Sequence, residues 1–478
     1  MRKSHERVLL VGETVGAATV GLVYLASYLR RHGIEAYCQW YDHSRTLDSL
    51  RANVERLIDR FQPTLLGVSV KWFPHMARAI QICNFAKSHA PHIEVVLGGN
   101  TASFYWREFI REPAVDYIIR GDGELPLLRL CRAEFPVPNL IARDANTDFQ
   151  LPPEFSYTET AQTDDVYLSH LDSIFVDAGD ARHCGSFFIY SGKRCNKKCF
   201  YCGGCATAMH DTFGSARPFF RRPDFVRSDL ETARPHTQQF LFDFDFEPEG
   251  QSQESYFREI FRAPWLSDYS AYFYFWRLPQ AGSLEFLAKT FGPLTTTIDL
   301  ASLSERHRFR MQADKRLGVK PQPSDDEIIA VFEQAERHPN HTIDINLISG
   351  MPLMEAEDFD LSLEMLRRLD RNYHSLGEIQ WGPLHAQPGA PILNCYQEFG
   401  LHSSAVTYQD FMGFSKLNLA ANEYPDWRQL RYPPIYTKNA ELLEQTIRHY
   451  EAVNAFFSNR RAAVGTSRSV RRGPVQLL

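Results

Sequence analysis

The stretch "SFFIYSGKRCNKKCFYCGGC", Ser186 to Cys205, decides how this chain is read. An apolar run with strand character leads straight into a loop crowded with cysteines. Cys195, Cys199 and Cys202 have the spacing C-x3-C-x2-C, and Cys205 follows closely. Zinc sites usually combine two C-x2-C or Cys/His pairs across a longer loop. A second pair is absent here unless Cys184 and Cys205 supply it. Three thiolates in one tight loop suit a [4Fe–4S] cubane, because they leave one of its irons open to another ligand. A disulfide framework would spread its cysteines in pairs along a small domain. The total is nine, and Cys38, Cys83, Cys131 and Cys395 are scattered. That distribution fits a reducing compartment with one local thiolate site.

Outward from this loop, both flanks alternate strand and helix signals. On the N-terminal side, "RVLLVG", "EAYCQWYD", "TLLGVSV", "IEVVLGGN" and "VDYIIRGDGE" read as strands. Helical patterns such as "GLVYLASYLRRHG" and "LDSLRANVERLIDRFQP" separate them, each closed by a Gly or Pro stop signal. Such alternation predicts an α/β domain with a doubly wound, Rossmann-like parallel sheet. Its ligands belong at the carboxyl ends of the strands. Those ends are "GETVG", "SVKW", "GGNTAS" and "RGDGE". On the other side, "SFFIYSG", "QQFLFDFDFE", "SAYFYFWRL", "LTTTIDLAS", "HTIDINLISG" and "GEIQWGPLH" predict six βα units, hence a partial (β/α)6 barrel. The cysteine loop is then the first βα loop of that barrel, at the end where such barrels collect their active sites. "FPVPNLIARDANTDFQLPPEFS" is rich in turn residues and reads as a linker. The expected organisation is a Rossmann-like domain over 1–135, a linker over 136–180, a barrel over 181–400 and a helical extension over 401–478. The extension has one clear helix, "NAELLEQTIRHYEAVNAFFSNRR", and a basic tail read as solvated.

The 478 residues are 44% hydrophobic and 23% charged, with a formal net charge of −6. No basic stripe points to nucleic acid, and no polybasic patch points to a membrane surface. The first apolar run is too short for a signal peptide, and no stretch reaches the roughly 18 apolar residues of a spanning helix. A soluble, cytoplasmic protein is expected.

The C-x3-C-x2-C loop with Tyr201 before its last cysteine resembles the radical S-adenosylmethionine (radical SAM) superfamily. The resemblance implies a [4Fe–4S] cluster on Cys195, Cys199 and Cys202. It also implies SAM chelated to the open iron and cleaved reductively to a 5′-deoxyadenosyl radical. "SGMPLMEAEDF", from Ser349, resembles the strand end that borders the SAM adenine and ribose. "QPGAPI", from Gln387, resembles the segment after the last barrel strand. The cofactor-binding residues implied are Tyr201, Gly203, Gly204, Ser302, Asn346, Gly350 and Pro352. "ASLSERHRFRM" departs from the family pattern, with Ala301 where an acid is usual. Cys205 reads as a small buried residue.

The N-terminal half resembles the cobalamin-binding domain that precedes the barrel in one large radical SAM class. "GLVYLASYLRRHG", "PTLLGVSV", "VVLGGNTAS" and "VDYIIRGDGE" carry the likeness. The Asp-x-His-x-x-Gly loop that supplies a lower histidine ligand in some cobalamin enzymes is absent, and "DHSRT" at Asp42 lacks its spacing. Bound cobalamin is therefore an open expectation.

Side-chain alternation says what faces the barrel lumen. In "FLFDFDFEPE", Phe242, Phe244 and Phe246 share one face, and Asp243, Asp245 and Glu247 share the other. The phenylalanines suit burial under helices, which turns the acids inward. Asp344 and Asn346 form a second inward pair. Tyr272, Tyr274 and Trp276 share a face, with Arg277 opposite. Clustered carboxylates repel unless something positive binds there, as an amino- and hydroxyl-rich substrate would. With the two-domain layout, this resembles the aminoglycoside 3′-deoxygenating diol dehydratases of apramycin-type pathways. That family implies 1,2-diol dehydration of an aminoglycoside such as paromamine in antibiotic biosynthesis, with Asp243, Asp245 and Glu247 as acid and base. It further implies a flavodoxin or ferredoxin as electron donor and a partner reductase. The alternative is a cobalamin-dependent radical SAM methyltransferase of natural-product biosynthesis.

Overall fold

The structure is a computed structural model that describes residues 4–13, 20–41, 46–143, 166–176, 186–214, 217–242, 252–420 and 432–463. The first sheet has the order β2-β1-β3-β4-β5-β6. Its strands are β1 (Arg7–Glu13), β2 (Glu35–Tyr41), β3 (Leu65–Ser69), β4 (Glu94–Gly98), β5 (Tyr117–Ile119) and β6 (Leu140–Ala142). The first five run parallel, and β6 pairs antiparallel with β5. Within the stretch read as a linker, "NLIA" thus extends the sheet by an edge strand. Its alternation is too short to show in sequence beside the flanking prolines and polar residues.

Both faces of β1 are buried, from Val8 to Val11, as a parallel sheet between helices requires. Helix α1 (Val20–Arg31) ends in a turn at Gly33, whose φ is +82°. Helix α2 (Leu47–Phe61) starts where the Thr46 side chain accepts from the Ser49 amide, and it buries Leu50, Val54, Leu57 and Ile58. Those four fall at helical spacing on one face. Helices α3 (Met76–His89) and α4 (Glu124–Cys131) complete the crossovers used below.

The second sheet has the order β14-β13-β12-β11-β10-β7, and every neighbouring pair is parallel. It curls as a partial barrel of β7 (Phe187–Phe188), β10 (Gln239–Phe242), β11 (Ser270–Phe275), β12 (Leu294–Leu300), β13 (His341–Ser349) and β14 (Leu376–Pro383). A short ribbon of β8 (Gly192–Lys193) and β9 (Phe219–Phe220) brackets the cysteine loop and helix α5 (Ala206–Phe213). Further helices are α6 (Pro223–Ala233), α7 (Glu305–Ala313), α8 (Ala356–Asn372), α9 (Tyr408–Ala420) and α10 (Ala440–Ala463).

Phe242, Phe273, Phe275, Ile343 and Ile345 join one large core under the helices. Leu241, Tyr272 and Tyr274 form a separate small cluster with Phe188 and Trp276 on the other face, inside the curl. The inward set on β11 is therefore aromatic. Of the inward residues on β13, Asp344 is spent on structure. Its Oδ1 accepts from the Glu378 amide (2.7 Å), where the β13–β14 register shifts. The two main cores each draw residues from both sheets, so the halves pack as one body. At the far end, Ser415 of α9 donates to the Pro74 carbonyl and accepts from the Ala77 amide, 2.8 Å each. No helix among the described residues is long and apolar enough to cross a membrane.

Candidate functional site

The carboxyl ends of the two sheets meet around one cavity of ≈ 580 Å³. The first sheet contributes strand ends rich in glycine, including Gly67, Gly98, Gly99, Gly121 and Gly123. A Cβ on Gly99 would lie 2.8 Å from the Val70 carbonyl oxygen, and its φ is +100°. Only glycine fits that turn. Lys71, Trp72 and His75 follow β3 on the same wall. The loop after β1, at 14–19, and most of "DHSRT", at 42–45, lie outside the described residues.

The opposite wall is the cysteine loop. Cys195, Cys199 and Cys202 all line the cavity, with Tyr201, Gly204 and Cys205. The loop is fixed through its backbone. Cys202 N donates to Cys199 O (3.1 Å), Ala206 N to Lys197 O (2.7 Å), Phe200 N to Leu317 O (3.0 Å) and Ile392 N to Phe200 O (2.7 Å). Two amides aim at sulfur: Lys197 N at Cys195 Sγ and Gly204 N at Cys202 Sγ, 3.3 Å each. Burial pushes the Cys195 thiol up to about 11 and the Cys202 thiol up to about 12. Metal binding there must displace those protons.

Among the described residues, no three His, Cys, Asp or Glu side chains converge as ligands of one metal ion. The donor set is three neighbouring thiols with amides directed at two of them. Such a set suits a polynuclear centre, in which each sulfur takes its own iron and accepts backbone hydrogen bonds.

Cys205 is the N-cap of α5, where its sulfur accepts from the Ala208 amide (3.4 Å). That gives the extra cysteine a local task. Gly203 is pressed against the "QPG" turn. Its amide donates to Gln387 Oε1 (2.8 Å), and a Cβ would come within 2.6 Å of the Pro388 carbonyl oxygen. Gly204 has no comparably close neighbour, with Cys202 Sγ at 3.8 Å from an added Cβ.

Asn346 is buried and donates to Tyr274 OH (2.7 Å) and Asp299 Oδ1 (2.9 Å). Ser302, Gly350 and Pro352 are not part of the cavity wall. Ser302 Oγ accepts from Ser304 N (3.1 Å) at the start of α7. Gly350, with φ +77°, turns the chain after β13. The Pro352 carbonyl accepts from His307 Nε2 (2.8 Å). Asp243, Asp245 and Glu247, the expected acid–base residues, lie outside the described residues, as do Phe244 and Phe246.

Two sets of charged groups on the cavity wall include partners that sequence reading missed. Lys320 forms a buried ion pair with Asp299, beside Cys195. It sits on a segment pressed to the cysteine loop. Gly318, at φ +54°, would place a Cβ 2.4 Å from the Lys198 carbonyl oxygen. The second group is a lattice of Asp122 and Glu124 with Lys193 and Arg194. Burial opposes charge on Lys193, but Glu124 and Asp122 outweigh it and hold the ammonium well above its ordinary pKa. Burial likewise opposes charge on Asp122, and Lys193 and Arg194 win there, so its pKa is lowered. The signal was the strand end "RGDGE"; its partners some 70 residues on had none.

A family model described as a B12 binding domain matches residues 12–130. No curated protein sequence matches the chain. Among solved structures, the radical S-adenosylmethionine methyltransferase TsrM from Kitasatospora setae, with tryptophan substrate and the SAM analog aza-SAM bound, superposes with a TM-score of 0.65. The alignment covers 93% of this chain and 89% of that one at 16% identity. A second TsrM structure, with cobalamin and a [4Fe–4S] cluster bound, gives 0.65 over 94% and 91% at 15% identity. The cobalamin-dependent S-adenosylmethionine radical enzyme OxsB, in an apo form, gives 0.64 over 94% of this chain and 67% of that one at 14% identity. At these identities the likeness is one of fold: a B12-type sheet followed by a curled parallel half-barrel.

Proposed function

We propose that this chain is a cobalamin-dependent radical SAM methyltransferase acting on a small natural-product precursor. One observation carries the proposal: a single cavity is walled by the C-x3-C-x2-C thiols on one side and by the strand ends of the B12-type sheet on the other. The fold likeness to TsrM over most of both chains supports the same reading. When bound, the cluster and SAM would supply a radical, and cobalamin a transferable methyl group.

The chain's own residues have definable tasks in that reading. Cys195, Cys199 and Cys202 hold iron, and the amides of Lys197 and Gly204 steady two of the sulfurs. Gly203 seats the "QPG" turn against the loop, while Tyr201 and Gly204 face the cofactors. Asn346 fixes Asp299, and Asp299 with Lys320 presents fixed charge to the zwitterionic end of SAM. Ser302, Gly350 and Pro352 shape the chain just beyond the ends of β12 and β13. The aromatic inner face of β11, with Tyr274 and Trp276 on the cavity, offers stacking surface to the substrate. Electrons would come from a flavodoxin- or ferredoxin-type donor.

Diol dehydration of an aminoglycoside rested on lumen carboxylates at 243–247, and no observation now favours it over methyl transfer. The test is anaerobic reconstitution with iron, sulfide and cobalamin, then turnover with SAM, a reductant and candidate precursors. Stoichiometric cobalamin and a product heavier by one methyl in place of hydrogen are expected. A cobalamin-free enzyme whose product is lighter by one water would overturn the proposal.

A further inference from the structure

We infer that Asp122 is a positioning residue for the iron–sulfur cluster, through which the N-terminal domain sets where the first cluster thiol stands. The inference rests on the cluster reading above.

Arg194 immediately precedes Cys195, and its φ is +68°. That is the left-handed region, uncommon for a residue with a Cβ. Such a conformation persists where surrounding structure over-determines it. Here the surroundings come from the other domain. Asp122 divides its two oxygens between consecutive residues: Oδ1 takes Lys193 Nζ and Oδ2 takes Arg194 Nη2, 3.0 Å each. Glu124 Oε1 takes Lys193 Nζ as well, at 2.6 Å. Arg194 also lies over the Phe219 ring, 5.4 Å from its centroid. The side chains of Arg194 and Asp122 are only 6% and 14% exposed, so the pair is not a solvated surface bridge of little consequence.

The same turn also grips the helix that follows the loop. Arg120 Nη2 donates to the carbonyl of Thr212, in the last turn of α5. One N-terminal segment, Arg120–Glu124, therefore holds the entry of the cysteine loop and the end of the helix that follows it. The segment is itself braced, with Gly121 N donating to Ser103 Oγ (3.0 Å) and Arg120 N to Asn139 O (3.0 Å). Outer partners that orient metal ligands typically change metal retention about 10–100-fold when removed. Asp122 grips the residue next to the first thiol, so its influence on the cluster passes through the backbone of Arg194.

The test uses the full-length, cluster-loaded protein and a ferrous-iron chelator. D122N is expected to release iron about 10–100-fold faster than wild type and to alter the electron paramagnetic resonance spectrum of the reduced cluster. D122E is expected to recover most of the difference. A merely structural role would lower the melting temperature and leave both readouts unmoved. If D122N does not fold, R194A and R194G decide the matter. Glycine accepts a positive φ without a Cβ penalty, so R194A should lose iron faster than R194G. Equal release from wild type and D122N, or from R194A and R194G, overturns the inference alone. A wild type that takes up no cluster overturns the cluster reading and this inference together.

Discussion

Replacing Asp229 by alanine should expose how the two domains are fastened. Asp229 lies on α6 of the barrel half, and its side chain and that of Arg221 are both 0% exposed. Arg221 Nη1 binds Asp229 Oδ2, and Tyr24 of α1 donates to the same oxygen at 2.6 Å. The other oxygen accepts from the Leu168 amide at 2.7 Å. Three parts of the chain therefore meet on one carboxylate: the first helix, the segment entering the barrel, and the barrel itself. Tyr24 also lines the cavity, so the junction bears on the site.

Removing the carboxylate leaves a guanidinium in the interior without its counter-charge. Breaking one partner of a buried pair costs about 3–5 kcal/mol. Exchanging both partners for apolar residues, Arg221→Met with Asp229→Leu, should cost far less, because no uncompensated charge remains. Tyr24→Phe deletes the hydrogen bond to the Asp229 carboxylate, a loss of about 1.5–3 kcal/mol, and also takes the acceptor from the Tyr190 amide. Urea unfolding followed by fluorescence measures all three. The first transition is the one to compare, since a chain of this length need not unfold in one step. A D229A loss below about 1 kcal/mol, or a double variant as damaged as the single, would refute the reasoning.

Alanine at Cys195, Cys199 or Cys202 should abolish iron–sulfur absorption after reconstitution. Alanine at Cys205 should keep it and lose about 0.5–2 kcal/mol from the uncapped helix. The two loop glycines should separate: G203A pushes a Cβ into the Pro388 carbonyl and should destabilise by about 1–3 kcal/mol, whereas G204A has room. Equal melting temperatures for these two variants would contradict the packing described. For pH, burial pushes His341 down to about 4, against an ordinary value of about 6.5. The unfolded chain takes up the proton first, so stability present above about 6.5 is lost as pH falls toward 4, by up to about 3 kcal/mol. His341→Gln should flatten that part of the profile; an unchanged profile would show that another group is responsible.

What the sequence made legible was short-range or periodic. Cys195, Cys199 and Cys202 fall within one loop, and the fold places all three on the wall of one cavity. The six barrel strands and the five parallel strands of the first sheet follow from runs of apolar residues between helical patterns. Alternation correctly turned Phe242 outward and Asp344 and Asn346 inward. It did not reveal that Asp344 serves the β13–β14 register rather than the lumen, because that depends on an amide from another strand. The edge strand Leu140–Ala142 was hidden because three residues carry too little pattern to outweigh their turn-rich neighbours. Lys320 had no motif at all. It became part of the site only because Gly318 lets its segment close on the cysteine loop.

The same distinction explains how labour is divided within the site. Holding iron needs several thiols at close spacing, and a contiguous loop supplies them with little help from the fold. Aiming what is held is a different problem, because the loop leaves its strand through a left-handed arginine, a conformation that surrounding structure must hold. Beside its internal hydrogen bonds, this loop takes contacts from far away in sequence: Leu317 and Ile392 on its middle, Gln387 on Gly203, Asp122 at its entry and Arg120 on the helix that follows it. Three of those five residues belong to strand ends or turns that also wall the cavity. Groups that hold the cluster loop therefore also border the space for the ligands. The two domains are thus bound to one task by geometry as well as by a shared cavity.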